Sequence, residues 1–327
     1  MMKDYCVLGS GISGSTIANL LSKKNKVEIF DKARGLGGRA SNRRFKNNLS
    51  FDHGLQYITP KDLKFKKFII KLKNKKILKI WPGKHINLKS LKKREANKYI
   101  GNKKNSDINQ FLLKNIKKNF SSKIVKIKFN TFWTVTLDSG KKINFKSLIL
   151  TCPFPQVKTL AKKYISKNLI NQNIKMLPNI TAMLVIKSKD ILPISSMILD
   201  DSIIAWAANE NSKKRFKSKL GLWTIQTQLK WSKKYINKCR INNKKISNII
   251  TQKFISLMNI KKSNVIHSNI HGWKYAFSYQ RTKINSFWSE KYKIGICGDW
   301  FLGPKAENAW TSANDLFLKI KKNPPKN

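Results

Sequence analysis

Acidic residues are the scarcest chemical class in this chain. Its 327 residues hold 16 Asp and Glu against 68 Lys and Arg, a formal charge of +52. No paired carboxylates for general acid–base work stand out, and neither does a Ser-His-Asp arrangement. Cysteine is also rare. Cys6, Cys152, Cys239 and Cys297 lie far apart with no CxxC pair, which argues against disulfides or a metal site and fits a reducing cytosol. Long apolar runs are absent. The chain passes at once from Met1 into a strand and a glycine turn, so the expectation is a soluble, cytoplasmic protein with no signal peptide and no membrane partner. Arginine is sparse too, and four of the eight arginines fall between Arg34 and Arg44.

What is present suffices for two domains. The length exceeds one typical domain, and 41% hydrophobic residues can bury a large core. The excess positive charge has two readings: a polyanion partner, or drift toward AT-rich codons. Lysine is spread along the whole chain rather than gathered on one face, and no nucleic-acid module accompanies it. The spread favours drift, and no nucleic-acid partner is expected. The charge would still steer a phosphorylated small molecule toward the protein.

The N-terminal region reads as strand, glycine turn, helix, strand, acid. Tyr5 to Leu8 is apolar, Gly9-Ser10-Gly11-Ile12-Ser13-Gly14 follows, Ser15 to Ser22 has helical periodicity, and Val27 to Phe30 ends in Asp31. This is the dinucleotide fingerprint. Gly9 permits the tight turn, Gly11 admits a pyrophosphate, and Gly14 lets helix and strand pack closely. The helix N-terminus offers N–H groups to phosphate, and Asp31 is placed to accept hydrogen bonds from ribose hydroxyls. Either NAD or FAD fits so far. The loop Arg34-Gly35-Leu36-Gly37-Gly38-Arg39 adds dense glycine for close backbone approach and an arginine fork for a pyrophosphate, which lysine cannot reproduce.

Further on, helices are expected at 62–75, 107–119, 246–257 and 309–320. Strands are expected at 124–129, 132–137, 143–145, 148–151, 182–186, 222–226 and 295–297. His271, Trp273 and Tyr275 alternate on one face of an expected strand. Asp299 follows an apolar strand, where open α/β sheets bind ligands. A helix beginning near Ala309 would aim its positive end at a flavin ring. Cys152 reads as a buried core thiol.

Several blocks together resemble the renalase-like branch of the flavin amine oxidase superfamily. They are Asp31 to Arg39, Ser41-Asn42-Arg43-Arg44, Asp52 to Thr59, Ala205 to Lys213, Trp223, Lys230-Trp231-Ser232, His271 to Ala276, Cys297 to Trp300, and Glu307 to Ser312. Asp31 stands where that superfamily usually has Glu, and Lys274 where Arg is typical. The resemblance implies an α/β fold, with a Rossmann-type FAD-binding domain (1–60, 101–155 and 285–327) and an inserted α+β substrate domain (61–100 and 156–284). It implies non-covalent FAD and no metal. The cofactor contacts would come from Gly9 to Gly14, Asp31, Lys32, Arg34, Gly38, Arg39, Arg43, Gly54, Ile124, Thr151, Gly298, Asp299, Ala309 and Trp310. Gln56, Tyr57, His271, Trp273 and Tyr275 would form the catalytic wall. The implied reaction is hydride transfer from a substrate carbon to flavin N5, oxidising dihydronicotinamide dinucleotide isomers back to NAD(P). The alternatives are an amine oxidase or desaturase acting on another small molecule, or a basic nucleic-acid or anionic-surface binding protein on a flavoprotein scaffold.

Overall fold

The structure, a computed structural model, describes residues 2–46, 48–88, 90, 97–187, 193–239 and 241–325. The expected substrate segments therefore include positions 89, 91–96, 188–192 and 240, which lie outside the described residues. The eight α-helices among the described residues are α1 (Ile12–Leu21), α2 (Leu63–Asn74), α3 (Asp107–Leu112), α4 (Phe154–Ala161), α5 (Lys167–Ile170), α6 (Leu229–Tyr235), α7 (Asn243–Leu257) and α8 (Ala306–Lys322).

Two large sheets organise the chain. The first is built on five parallel strands in the order Ile294–Ile296, Lys142–Leu150, Lys3–Leu8, Val27–Phe30 and Lys117–Asn119. Tyr5 to Leu8 are consecutive buried residues, as a central parallel strand covered on both faces requires. On one face Val7, Ile17, Leu21 and Ile149 pack with Leu316 and Ile320 of α8. On the other, Cys6, Leu148 and Leu150 join Phe154, Val157 and Leu169 of α4 and α5. The second sheet runs Val265–Phe277, Leu177–Lys187, Leu220–Thr227, Ile204–Asn209, Ser196–Ile198 and His85–Asn87, antiparallel except for its last pair. Period-two alternation sends Ile180, Ala182, Leu184 and Ile186 onto Ile246, Ile250 and Phe254 of α7. Met183 and Val185 face the other way, toward Leu49 and Phe51. The expected α/β class, a Rossmann-type domain with a second α+β part, is the observed fold.

Two local readings change. The helix expected over 107–119 stops at Leu112, and Lys117–Asn119 is an edge strand parallel to Val27–Phe30. Its residues are polar, so no apolar alternation marks it. It is held instead by Lys118, whose Nζ donates to the carbonyls of Leu113 (2.8 Å) and Ile116 (2.9 Å). The strands expected at 143–145 and 148–151 are one strand of nine residues. Across the expected boundary at 156, residues through Ile174 pack into the core of the first sheet, and α2 packs with Ile12 and Ala309.

A buried charge cluster joins the two parts. Asp52 belongs to the segment that follows the arginine-rich loop. Glu210, Lys213 and Arg215 follow the strand Ile204–Asn209. Lys213 Nζ lies 2.8 Å from Asp52 Oδ2 and 2.9 Å from Glu210 Oε2, and Arg215 Nη1 pairs with the same Asp52 oxygen. All four side chains are buried, with Lys213 at 0% exposure. The remaining valences are filled. Thr224 donates to Glu210 (2.6 Å), Arg215 Nε donates to Gly101 O (3.0 Å), and Arg215 Nη2 donates to Asn105 Oδ1 (2.8 Å). Burial pushes the Asp52 carboxyl up, but the adjacent Arg215 and Lys213 charges outweigh it and hold the group below the usual range. At Glu210 burial wins. Lys213 opposes it, Asp52 adds to it, and the carboxyl is pushed up. Removing one partner of such a cluster leaves an uncompensated buried charge. Lys213→Met should therefore destabilise the protein by about 3–5 kcal/mol, read as a lowered urea midpoint. An unchanged midpoint would show that the cluster does not hold the two parts together.

Candidate dinucleotide and substrate cavity

The first glycine turn and the arginine-rich loop form one unit. Gly9 takes a φ of +106°, the left-handed region that favours glycine. A Cβ on Gly14 would sit 1.9 Å from Gly9 O, so only glycine lets α1 start so close to the strand. Gly37 N donates to Ser10 O (3.1 Å), which binds the second loop onto the first. A Cβ on Gly54 would lie 2.1 Å from Arg39 O, and Leu55 N donates to that carbonyl (2.6 Å). The loop bearing Gln56 and Tyr57 is thereby laid across the arginine loop.

These loops border a cavity of about 480 Å³. On the first-sheet side it is lined by Gly11, Ile12, Ser13, Gly37, Arg39, Thr151, Gly298, Asp299, Lys305 and Ala309. On the other side are Asn179, Ile198, Ala205, Trp206, Gln226, Trp273 and Phe277, with Leu55, Gln56 and Tyr57 between. The N-termini of α1 and α8 both open on it, and Ser13 Oγ donates to Ala309 O (3.0 Å) where the two helices meet. Two helix N-termini place partial positive charge and free N–H groups at one wall. Gly11 is bare, since a Cβ there would meet nothing nearer than Gly37 O at 4.0 Å.

Arg39 and Asp299 come together across 260 positions. Arg39 Nη1 donates to Asp299 Oδ2 (2.8 Å) and to Ala276 O (2.8 Å), and Nη2 donates to Asp299 Oδ1 (2.5 Å). The fork is thus held by a bidentate carboxylate, with its Nε–H and one Nη2–H left over. Asp31 is likewise engaged within the chain, accepting from Ser10 N (2.8 Å), Ser10 Oγ (2.6 Å) and Ala33 N (2.9 Å).

The remaining sequence candidates divide. Gly9, Ser10, Gly14 and Gly38 shape the turns one layer back from the cavity. Lys32, Arg34 and Arg43 are exposed beyond it. Ile124 is buried in the apolar core of the first sheet with Phe30 and Leu150. Trp310 is turned onto α2, its ring 5.5 Å from Phe68 and 5.4 Å from Phe65. Gln56 lines the cavity, but its amide is tied back. Nε2 donates to Asp52 O, and Oε1 accepts from Lys213 Nζ (3.1 Å). Trp273 lines the cavity and donates to His53 O (2.8 Å). His271 packs edge-on against Trp273 (4.3 Å) and His53 (4.8 Å), bracing that wall rather than lining it. Tyr275 is half-buried and outside the lining.

Sequence reasoning missed most of the far wall. Trp206 sits in the quoted block Ala205 to Lys213 without an assigned role. Asn179, Ile198, Gln226 and Phe277 carry no motif. Gln226 Nε2 donates to Gly54 O (3.0 Å), joining the second sheet to the loop. The four cysteines are free and buried, and burial pushes the Cys152 and Cys297 thiols up to about 12. Among the described residues there is no metal-ligating cluster and no helix long and apolar enough to cross a membrane.

Turn, acid and cavity have the geometry of a Rossmann-type domain. Residues 7–72 match the NAD(P)-binding Rossmann-like domain family. Over 98% of its length the chain shares its fold with a protein from Exiguobacterium sp. 255-15 assigned as a protoporphyrinogen oxidase (TM-score 0.76, 10% identity, 99% of that chain). It is also similar to a cofactor-binding variant of putrescine oxidase (TM-score 0.72, 10% identity, 98% of this chain and 99% of that one). Wild-type putrescine oxidase bound to putrescine matches at TM-score 0.70, again with 10% identity and the same coverage. The likeness is one of fold.

His53 supplies a pH test of this wall. Its ring is buried (4% exposed), and Nδ1 has no partner among the described residues. Burial, with the charges of His271 and Arg43 adding, pulls its pKa from 6.5 down to about 3. The folded state therefore resists protonation that the unfolded chain accepts. This residue costs no stability above pH 6.5, and it costs progressively more as pH falls from 6.5 toward 3. At pH 5 the loss should be about 2 kcal/mol. Denaturation of the parent and of His53→Phe at pH 7.5 and pH 5 should show that loss in the parent alone. Parallel losses in both proteins would remove His53 as its source.

Proposed function

We propose that this chain is an FAD-dependent oxidoreductase of the renalase-like kind, which oxidises dihydronicotinamide dinucleotide isomers back to NAD(P). The observation that carries the flavin reading is the Arg39 fork. It is fixed on Asp299 at the cavity, beside the bare Gly11 and between the N-termini of α1 and α8. Dense N–H donors, a guanidinium and a backbone cradle fit a pyrophosphate. Bound FAD would supply the redox chemistry, taking a hydride at N5 and passing electrons to an acceptor.

The chain's own residues would do the rest. Gly11, Ile12 and Ser13 present backbone N–H groups to the diphosphate, and Arg39 offers its remaining donors. The N-terminus of α8 holds partial positive charge at the cavity wall, which would favour negative charge on a group bound there. Asp299 keeps Arg39 in place. Trp206, Trp273 and Phe277 cover the opposite side and exclude water. The fold likeness to putrescine oxidase keeps an amine substrate as the competing outcome.

The purified protein should be yellow, and acid should release intact FAD. A colourless protein that takes up no added FAD would overturn the reading. Arg39→Ala should weaken FAD binding by about tenfold or more for each charge-assisted bond lost, with Arg39→Lys restoring part of it. Under anaerobic conditions, 2- or 6-dihydronicotinamide isomers should bleach the flavin faster than NADH or simple amines. Fast bleaching by amines with inert isomers would move the substrate to the amine class.

A further inference from the structure

One face of the second sheet forms the far wall of the cavity. The register sets Thr181 and Trp206 opposite Gln226 on its two neighbouring strands. The alternate residues Trp223 and Ile225 are buried on the other face with Ile250 and Phe254 of α7, so Gln226 is turned away from that helix. Its strand is interior, paired along both edges. Gln226 is half-buried and lines the cavity together with Trp206. What remains exposed of it therefore opens on the cavity.

The amide of Gln226 has one end fixed. Its Nε2 donates to Gly54 O (3.0 Å). A carbonyl oxygen can only accept, so the nitrogen must face it and Oε1 must point elsewhere. No donor among the described residues reaches that oxygen. The other amides and the carboxylate of the lining are taken. Gln56 Oε1 accepts from Lys213 Nζ (3.1 Å), and Asn179 Oδ1 accepts from Thr181 Oγ1 (3.2 Å). Both oxygens of Asp299 are held by Arg39. Gln226 thus brings the one open amide or carboxylate acceptor to the lining, with Trp206 as its cross-strand neighbour.

An acceptor left without a donor favours the ligand that supplies one over an isostere that cannot. The donor that fits is neutral. An ammonium would find no free carboxylate in the lining, because Asp299 is already engaged. We infer that Gln226 is a specificity-determining residue, whose Oε1 accepts a hydrogen bond from the amide N–H of a flat ring resting against Trp206. The inference rests on the proposed reading of this cavity as a substrate site and deepens it. The carboxamide is then the part of a dihydronicotinamide that Gln226 reads. Gly54 aims the residue, so the loop that carries Gln56 and Tyr57 also sets the direction of this acceptor.

Benzamide and acetophenone have nearly one shape, and only benzamide carries N–H groups. Calorimetric titration of each into the purified full chain, with FAD present throughout, reads binding without any flavin reaction. Benzamide should bind about fivefold or more tighter than acetophenone, the size expected of one hydrogen bond. Gln226→Met should bring benzamide down to the acetophenone level and leave acetophenone within about twofold. If that variant does not fold, Gln226→Asn, whose amide is one carbon short, should lose the same preference. A merely structural residue would weaken both probes alike, and that result would overturn the inference. So would equal binding of the pair by the parent, no measurable binding of either, or a preference that survives the substitution. Tighter binding of benzylammonium than of benzamide would overturn it too. The two proposals fail separately. An amide preference lost in Gln226→Met, in a protein that takes up no FAD, removes the oxidoreductase reading alone. A flavin bleached equally fast by the isomers in parent and variant, with no amide preference, removes the role of Gln226 alone.

Discussion

The constraint on which the rest of this molecule depends is the mutual neutralisation of Asp52, Lys213, Glu210 and Arg215 out of contact with water. A buried carboxylate or ammonium is tolerated only when its partners are fixed. Here Asp52 comes from the segment after the arginine-rich loop and the other three groups from the turn after Ile204–Asn209, so the two segments are tied where all four groups are satisfied. The same lysine holds Gln56, and Asp52 begins the loop that carries Tyr57. One charge cluster therefore ties these segments together and fixes the position of a cavity wall.

A second tie closes the opposite side. Arg39 comes from the N-terminal region and Asp299 from the C-terminal region, and neither has another charged partner among the ion pairs of the described residues. Their pairing brings the last parallel strand and α8 up to the first glycine turn. This explains why a cavity built on the first glycine turn is finished by the final fifty residues. The two ends of the chain supply the first-sheet side of the cavity, and the middle supplies the opposite wall.

What was legible in the sequence follows the range of the interactions involved. Gly9 to Gly14 and Asp31 could be read because a tight turn, a close helix and an acid after a strand are local demands on residue type. The pairing of Arg39 with Asp299 could not, although both residues stood out singly, because nothing local records a partner 260 positions away. Lys213 was hidden for a different reason. In a chain with this much lysine, one that is fully buried looks like all the others. Lys117–Asn119 was hidden because a polar edge strand has no alternating pattern. Trp310 and Gln56 stood out in the sequence, but their orientation depends on contacts with α2 and with the charge cluster, which residue order does not encode. Tertiary packing overrode the local signal in each of these cases.

The four thiols have a consequence for durability. Each is buried, and burial pushes the thiol up: to about 11 for Cys239, to about 12 for Cys152 and Cys297, and further for Cys6. Peroxide attacks thiolate rather than thiol. A protein that discharged electrons to molecular oxygen would make peroxide beside its own core. The four cysteines of this one would offer that oxidant almost no thiolate to attack.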